Sequence, residues 1–280
     1  MENAPHISIA PEVLGNIAGV AITNSFLSSI CVSLILIALI FYVRVKLSIV
    51  PGTIQLAAEG IITFFYNQLL DAYGDEKRAK RFLPLIIGLF LFIFLSNQFT
   101  IIPLVQSVVL DGVDVFRAPT SHFSLTVTLA LITFLVSNLI AISMSPWLYV
   151  KNFIKIGELL KVRCAGDLAK AFLDIFLGVL DIIGELAKVI SLSARLFGNI
   201  FAGEVMVVVI ASLSAYTQFF VPAPFYALGL LSGAIQALVF SVLSLSFIAG
   251  MHTSMEAAKE EAKNHKEEAG KRKLAAKSIS

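Results

Sequence analysis

The sequence has little of what soluble enzymes use for catalysis. Its 280 residues include 4 histidines, 2 cysteines and 1 tryptophan, and only 14% are charged. Cys31 lies in an apolar stretch and Cys164 in a basic loop, so we expect no disulfide. There is no P-loop, no glycine-rich nucleotide turn, no HExxH metal spacing and no nucleophile elbow. These absences argue against a soluble type of active site, and we expect no metal and no cofactor.

What the chain has is apolar residues. They make up 58% of the sequence, where soluble domains have about 45–50%, and the mean hydropathy is +0.88. This composition predicts a polytopic membrane protein. The basic residues are scattered and form no recognition motif, so we expect no nucleic-acid partner. The N-terminus carries no basic segment of the kind that opens a signal peptide.

Five apolar stretches are long enough to cross a bilayer, which takes about 20 residues of helix. They lie at residues 22–43, 82–105, 123–149, 171–213 and 225–251. Residues 53–73 read as an amphipathic helix at the membrane surface, with a buried interhelical segment as the alternative. The predicted fold is an all-α integral membrane protein, with about five transmembrane helices and a cytoplasmic-side amphipathic helix. We expect residues 1–280 to form a single membrane domain.

The fourth stretch is too long for one upright helix. At 1.5 Å per residue it spans about 65 Å, roughly twice the hydrocarbon core. It must be bent, tilted or partly within the membrane plane, and with the last stretch it is predicted to form a long tilted hairpin.

The distribution of basic residues predicts the orientation. Lysine and arginine are frequent at residues 44–46, 77–81 and 151–170 and in the charged tail, 252–280, whereas the loop at 106–122 has only Arg117. By the positive-inside rule, the N-terminal residues 1–21 lie outside and the tail lies in the cytoplasm.

Arg195 is the strongest candidate functional residue. Guanidinium keeps its proton in proteins, and a charge at membrane depth costs at least about 2.5–3.5 kcal/mol. The alternative is a structural ion pair, but no acid lies three or four residues from Arg195 along the helix.

Other polar residues are placed around Arg195 by helical periodicity. One stripe carries Asp181, Lys188, Arg195 and Asn199. Glu185 is adjacent to Asp181, while Glu204 points about 180° away from Arg195 and lies about 13.5 Å further along the axis. This pattern suits two aqueous half-channels separated by a fixed charge. Glu204 could instead snorkel to the interface, and Lys188 could simply snorkel or pair with Glu185.

Further candidates lie outside this helix. Gln236, in the last stretch, needs partners at membrane depth and is expected near Arg195, or else in a structural interhelical hydrogen bond. Ser232 lines the channel or packs between helices. Asn97 lines an aqueous entrance or caps a helix end. His122 is a candidate for lining the channel, with a plain residue of the outer loop as the simpler alternative.

The segment SLSARLFGNIFAGE, residues 191–204, resembles the signature of subunit a of the F-type ATP synthase, close to SLxxRLFGNxxAGE. Supporting matches are the NxxxxxP spacing from Asn97 to Pro103, the segment APTS at residues 118–121, and Gln236.

The resemblance implies a mechanism and partners. Subunit a faces a rotating ring of c subunits, and Arg195 would be the gate that attracts the ring carboxylate and blocks leakage. Glu204, Asn199 and Gln236 would serve the outer half-channel, and Asp181 the inner exit. Partners would be the c ring, b-type peripheral stalk subunits, other synthase subunits and the lipid bilayer. The chain would not itself hydrolyse nucleotide.

The chain departs from the family pattern in the outer route. Many members carry an ionisable residue seven positions before the last-helix glutamine, where this chain has Gly229. Water or loop residues would then relay protons to Glu204. The basic tail and the lack of a transit peptide favour a bacterial plasma (inner) membrane.

Three other functions remain alternatives. A membrane insertase can also hold a lone arginine in a groove, but Glu204 beyond the arginine argues against it. A secondary transporter would show internal repeats or glycine- and proline-broken helices, which this sequence lacks. A structural scaffold would not require a charge at membrane depth.

Overall fold

The computed structural model describes residues 13–17, 20–99, 109–110, 113–114, 117–153, 165–212 and 221–277. Within these ranges the chain is mainly helical. Its helices are α1 (Asn24–Val45), α2 (Thr53–Tyr73), α3 (Glu76–Phe99), α4 (Phe123–Met144), α5 (Pro146–Phe153), α6 (Ala165–Ser212) and α7 (Pro222–Lys277). A 3-10 turn at Pro119–Ser121 precedes α4.

Two small antiparallel hairpins accompany the helices. The first pairs β1 (Val13–Ile17) with β2 (Val20–Thr23), and the second pairs β3 (Val109–Leu110) with β4 (Val113–Asp114). Both lie in or next to segments that the hydropathy pattern placed outside the apolar spans. They leave the predicted all-α membrane architecture unchanged.

Four helices of the described part are long and apolar enough to cross a membrane: Asn24–Val45, Glu76–Phe99, Phe123–Met144 and Pro222–Glu261. Their surfaces fit this role, because large apolar side chains such as Leu34, Ile37 and Phe41 on α1 are 60–68% exposed. Such faces are stable against lipid rather than water. The chain is an all-α membrane protein, as the sequence predicted.

Local chemistry determines the helix boundaries. Thr23 caps α1 by accepting a hydrogen bond from the Phe26 backbone N–H at 3.3 Å. Helix α2 ends at Gly74, which adopts the left-handed conformation at φ 61°; this conformation is unfavourable for residues with a Cβ.

The third predicted span, 123–149, was too long at its C-terminal end. Helix α4 ends at Met144, and the short helix α5 begins at Pro146. Proline is favoured in the first turn of a helix, and it disfavours helical geometry at the residue before it. Ser145 therefore separates two helices where hydropathy alone predicted one.

The long fourth stretch is a helix of 48 residues, α6, about 72 Å at 1.5 Å per residue. Helix α7 is longer still, with 56 residues, and it carries the last apolar stretch and the charged tail in one helix. The predicted turn between them falls mostly on residues 213–220, which lie outside the described residues.

The chain divides into two compact units. Unit 1 comprises residues 1–130 and 190–245, and unit 2 comprises residues 131–189 and 246–280. In unit 1, α1 and α2 pack on α3, and Phe65 of α2 contacts Phe90 of α3 with ring centroids 5.2 Å apart. In unit 2 the buried apolar residues include Ala141, Ile248 and Met255. The single membrane domain stays a prediction.

Candidate functional site

Arg195 lies on the second half of α6, in unit 1. Its flanking residues Leu192 and Leu196 are buried, at 3% and 0% exposure, whereas Arg195 itself is exposed. Within the described part of the chain, no carboxylate lies within salt-bridge distance of its guanidinium. Buried leucines thus anchor α6 at this point, while the permanent positive charge of Arg195 lies at the surface of the chain.

Asn199 and Ser232 join α6 to α7 one helical turn from Arg195. The Ser232 hydroxyl donates to Asn199 Oδ1 at 2.8 Å, and Asn199 Nδ2 donates to the Ser232 carbonyl at 3.4 Å. The sequence named both residues as candidates, but it did not predict that they bond to each other. The pair fixes the α6 face that carries Arg195 against α7.

Gln236 follows Ser232 by one turn of α7 and is 7% exposed. Its Nε2 is buried without a hydrogen-bond partner among the residues that the structure describes. A buried donor in this state costs roughly 1–3 kcal/mol. The structure records no hydrogen bond from Gln236 to Arg195 in those residues, so its predicted approach to Arg195 stays a prediction.

Glu204 forms an ion pair with Arg117, the residue before the 3-10 turn. Arg117 Nη2 and Nε lie 3.2 and 3.3 Å from Glu204 Oε2, and the two side chains are 18% and 17% exposed. Sequence analysis used Arg117 only to assign the loop to the outside. Two features of the sequence could have suggested this pairing. The loop contains a single basic residue, and α6 carries an acidic residue beyond Arg195.

Asn97 connects three elements of unit 1. Its Nδ2 donates to the Gly233 carbonyl of α7 at 2.9 Å, and its Oδ1 accepts from the Thr120 hydroxyl at 2.7 Å. The side chain is 2% exposed. These bonds give Asn97 a structural role, and its role in lining an aqueous entrance stays a prediction.

His122 is buried between the 3-10 turn and α4, at 1% exposure. Burial lowers its pKa to about 4, and the positive charge of Arg117 lowers the pKa further in the same direction. Neither ring nitrogen has a hydrogen-bond partner within the described segments. His122 is thus a neutral imidazole buried in the segment before α4, close to Arg117, and its role in lining a channel stays a prediction.

Unit 2 contains the remaining candidates. Lys188 forms an ion pair with Glu185, one of the alternatives weighed from the sequence, and its Nζ lies 5.4 Å from the centre of the Phe247 ring. The Tyr149 hydroxyl donates to Asn138 Oδ1 at 2.6 Å. Burial, and next the nearby Glu185 carboxylate, raise the pKa of Tyr149.

Asp181 is exposed on α6 in the same unit. The structure therefore brings together Glu185 and Lys188, and separately Asn199 and Ser232. It adds Arg117, Thr120 and Tyr149, which sequence analysis did not single out.

A helical membrane protein with an exposed arginine on a long apolar helix is the class that this fold and this site define. The profile of the family described as ATP synthase A chain matches residues 26–249. The chain belongs to this family.

Individual relatives agree with the family match over most of their length. A protein named ATP synthase subunit a from Moorella thermoacetica is 32% identical over 242 residues, which cover 86% of this chain and 96% of the relative. One of the same name from Mycobacterium tuberculosis is 34% identical over 229 residues, 80% and 85% of the two chains. One from Legionella pneumophila is 28% identical over 237 residues, 84% and 89%.

Proposed function

We propose that this chain is the proton-translocating stator subunit of an F-type ATP synthase, with two aqueous half-channels beside a rotating c ring and Arg195 as the gate between them. The family membership and the names of the relatives support the assignment to the synthase. The observation that carries the gate is the exposure of Arg195 on α6 between two buried leucines, with no carboxylate within salt-bridge distance in the described segments.

An exposed guanidinium suits a gate because the ring carboxylate that pairs with it must be able to approach and to dissociate. At 4 Å and an effective dielectric of 20, its attraction to a ring carboxylate is about 4 kcal/mol. The attraction disappears when a proton neutralises the carboxylate, so the protonated ring site is free to leave. The same fixed charge repels a proton that would pass directly from one half-channel to the other.

The outer half-channel is proposed to use Glu204, with Asn199, Ser232 and Gln236 between it and the gate. Glu204 accepts a proton from the outside and passes it on toward the ring. The hydrogen bonds between Asn199 and Ser232 hold the two helices together beside Arg195, which supports a positioning role for this pair. The buried amide of Gln236 has a donor, Nε2, that is unused among the described residues.

The inner half-channel is proposed to use Asp181 and Glu185, with Lys188 near them. Asp181 is exposed, so it is accessible for proton release to the cytoplasm. Glu185 is paired with Lys188, so Asp181 is proposed as the main exit group. Asn97 and His122 are proposed neighbours of the outer entrance.

The proposed setting is a bacterial plasma (inner) membrane, with the N-terminus outside, the C-terminal tail in the cytoplasm, and residues 1–280 as one membrane domain. Partners are the c ring, b-type stalk subunits, the other subunits of the synthase and the surrounding lipid. Nucleotide chemistry takes place in another subunit, and this chain needs neither cofactor nor metal.

The test is ATP synthesis and passive proton uptake in vesicles that hold the whole complex, comparing wild type, Arg195→Ala and Arg44→Ala. Loss of about 4 kcal/mol of attraction corresponds to a drop in synthesis on the order of 10³-fold. We expect Arg195→Ala to lose synthesis while the c ring still co-purifies. Arg44, exposed in the last turn of α1, is the matched control and should synthesise ATP like wild type. Wild-type synthesis by Arg195→Ala would falsify the gate.

A further inference from the structure

The ion pair between Arg117 and Glu204 joins two parts of unit 1 that are far apart in sequence. Arg117 belongs to the segment before α4, and Glu204 lies on α6 nine residues after Arg195. Two guanidinium nitrogens converge on the same carboxylate oxygen, Oε2. Both side chains are more than four-fifths buried. Removing one partner of a pair with this burial is strongly unfavourable, because it leaves the other charge buried and unpaired.

The second oxygen of Glu204 is in a different state. Oε1 is buried and makes no hydrogen bond of ordinary geometry within the segments that the structure describes. The Ser121 hydroxyl, which donates to the Ala118 carbonyl, lies close enough to interact with the Glu204 carboxylate. The carboxylate is thus held through one oxygen, while the other keeps its capacity to take a proton or a water. The oxygen that is bonded to the guanidinium has little affinity for a proton. A proton relayed by Glu204 would therefore bind to the other oxygen.

Among the residues that the structure describes, Arg117 is the charged partner recorded for Glu204. Helix α7 carries no charged residue over its part in unit 1, residues 222–245, where Tyr226 is the one titratable side chain. His122, on the same segment as Arg117, is buried and neutral at ordinary pH because burial and Arg117 lower its pKa to about 4.

We propose that Arg117 is a positioning residue of the outer half-channel, holding Glu204 by one carboxylate oxygen so that the other oxygen carries the proton. A proton from an outer water forms the O–H bond on Oε1, Glu204 becomes neutral, and the bond breaks when the proton moves on toward the ring. Arg117 stays charged throughout. This inference rests on the proposed function, since it assigns Arg117 to the route through Glu204.

The experiment measures ATP synthesis and passive proton uptake against external pH in vesicles holding the complete synthase. The variants are Arg117→Gln, Arg117→Lys, Glu204→Gln and the double variant Arg117→Gln/Glu204→Gln, with Arg44→Gln as the control. Removing the guanidinium favours the protonated form of the carboxyl group. Uptake in Arg117→Gln should therefore be slower and should persist to an external pH higher by about 1 unit or more. Arg117→Lys, which keeps the charge, should return the profile toward wild type.

Non-additivity is the second criterion. Glu204→Gln should slow uptake while the complex still assembles, and the double variant should be no slower than Glu204→Gln alone. A double variant that is several-fold slower than Glu204→Gln would overturn the proposal, as would a wild-type rate and pH profile in Arg117→Gln. If Arg117→Gln does not assemble, the double variant decides, because it leaves no buried charge without its partner.

Arg195→Ala in the same vesicles separates this inference from the proposed function. If Arg195→Ala loses synthesis and Arg117→Gln behaves like wild type, only the role of Arg117 is wrong. If Arg195→Ala synthesises ATP like wild type, the gate itself is wrong.

Discussion

Asn97 of α3 and Gly233 of α7 are in direct contact in the core of unit 1. The Asn97 amide donates to the Gly233 carbonyl at 2.9 Å, and a Cβ at position 233 would lie 3.0 Å from Asn97 Cβ. The contact therefore favours glycine, because a Cβ at 233 would be unusually close to Asn97, the residue that bonds to the Gly233 carbonyl, and Asn97 would have to shift by a few tenths of an ångström.

Gly233→Ala should separate α3 from α7. The added methyl group meets Asn97 Cβ, and overpacking of this kind costs about 1–3 kcal/mol of folding free energy. Gly229→Ala is the matched control, since it lies one turn earlier on α7 and a Cβ there meets nothing within 4 Å. Thermal unfolding in detergent should show a lower midpoint for Gly233→Ala alone. Equal midpoints in the two variants would contradict the close approach.

The hydrogen bonds between Asn199 and Ser232 should make the effects of alanine at the two positions on the free energy of unfolding non-additive. Asn199→Ala removes both bonds, whereas Ser232→Ala removes the bond from the hydroxyl and keeps the backbone carbonyl that accepts from Asn199. Because both changes remove the hydroxyl bond, the double variant should be less destabilised than the sum by about 0.5–1.5 kcal/mol. Ser241 is the control, because its hydroxyl bonds to the Ala237 carbonyl of its own helix at 2.9 Å. Asn199→Ala and Ser241→Ala should be additive in the same unfolding measurement, and a similar coupling for both pairs would argue against a specific bond.

His122 should make the protein less stable in acid. Its pKa is lowered from 6.5 to about 4, so between these values the unfolded chain binds a proton that the folded chain does not. Stability is therefore lost as the pH falls from 6.5 toward 4. His122→Gln should reduce this loss in thermal unfolding across that range. A variant with the same acid sensitivity as wild type would show that other groups cause it.

The membrane class and most of the helices were predictable because they depend on composition and on local apolar runs. The sequence also identified Arg195, since a charge in an apolar helix stands out without any knowledge of its neighbours. The break at Ser145 was missed because hydropathy averages over a window and gives little weight to one proline. The two hairpins were missed because strands this short carry little periodic signal.

The site was predictable only in part. Glu204, Asn199 and Ser232 were recognised as polar residues in apolar helices, and the family resemblance added to this. Their partners were not recognised, because Arg117 lies 87 residues from Glu204 and Ser232 lies 33 residues from Asn199. Helical periodicity relates residues within one helix and gives no register between two helices.

The sequence by itself determined that this chain is a helical membrane protein with a fixed charge on its long helix. A helix must be apolar over about 20 residues to cross the bilayer, and a charged residue within such a stretch is energetically costly and therefore easy to recognise. Only the tertiary structure decided which groups form ion pairs and hydrogen bonds with each other. Glu204 pairs with Arg117, Asn199 bonds to Ser232, and Asn97 bonds to the carbonyl of Gly233. Hydrogen bonds and ion pairs act over about 3 Å, and the packing of separate elements brings distant residues within that range.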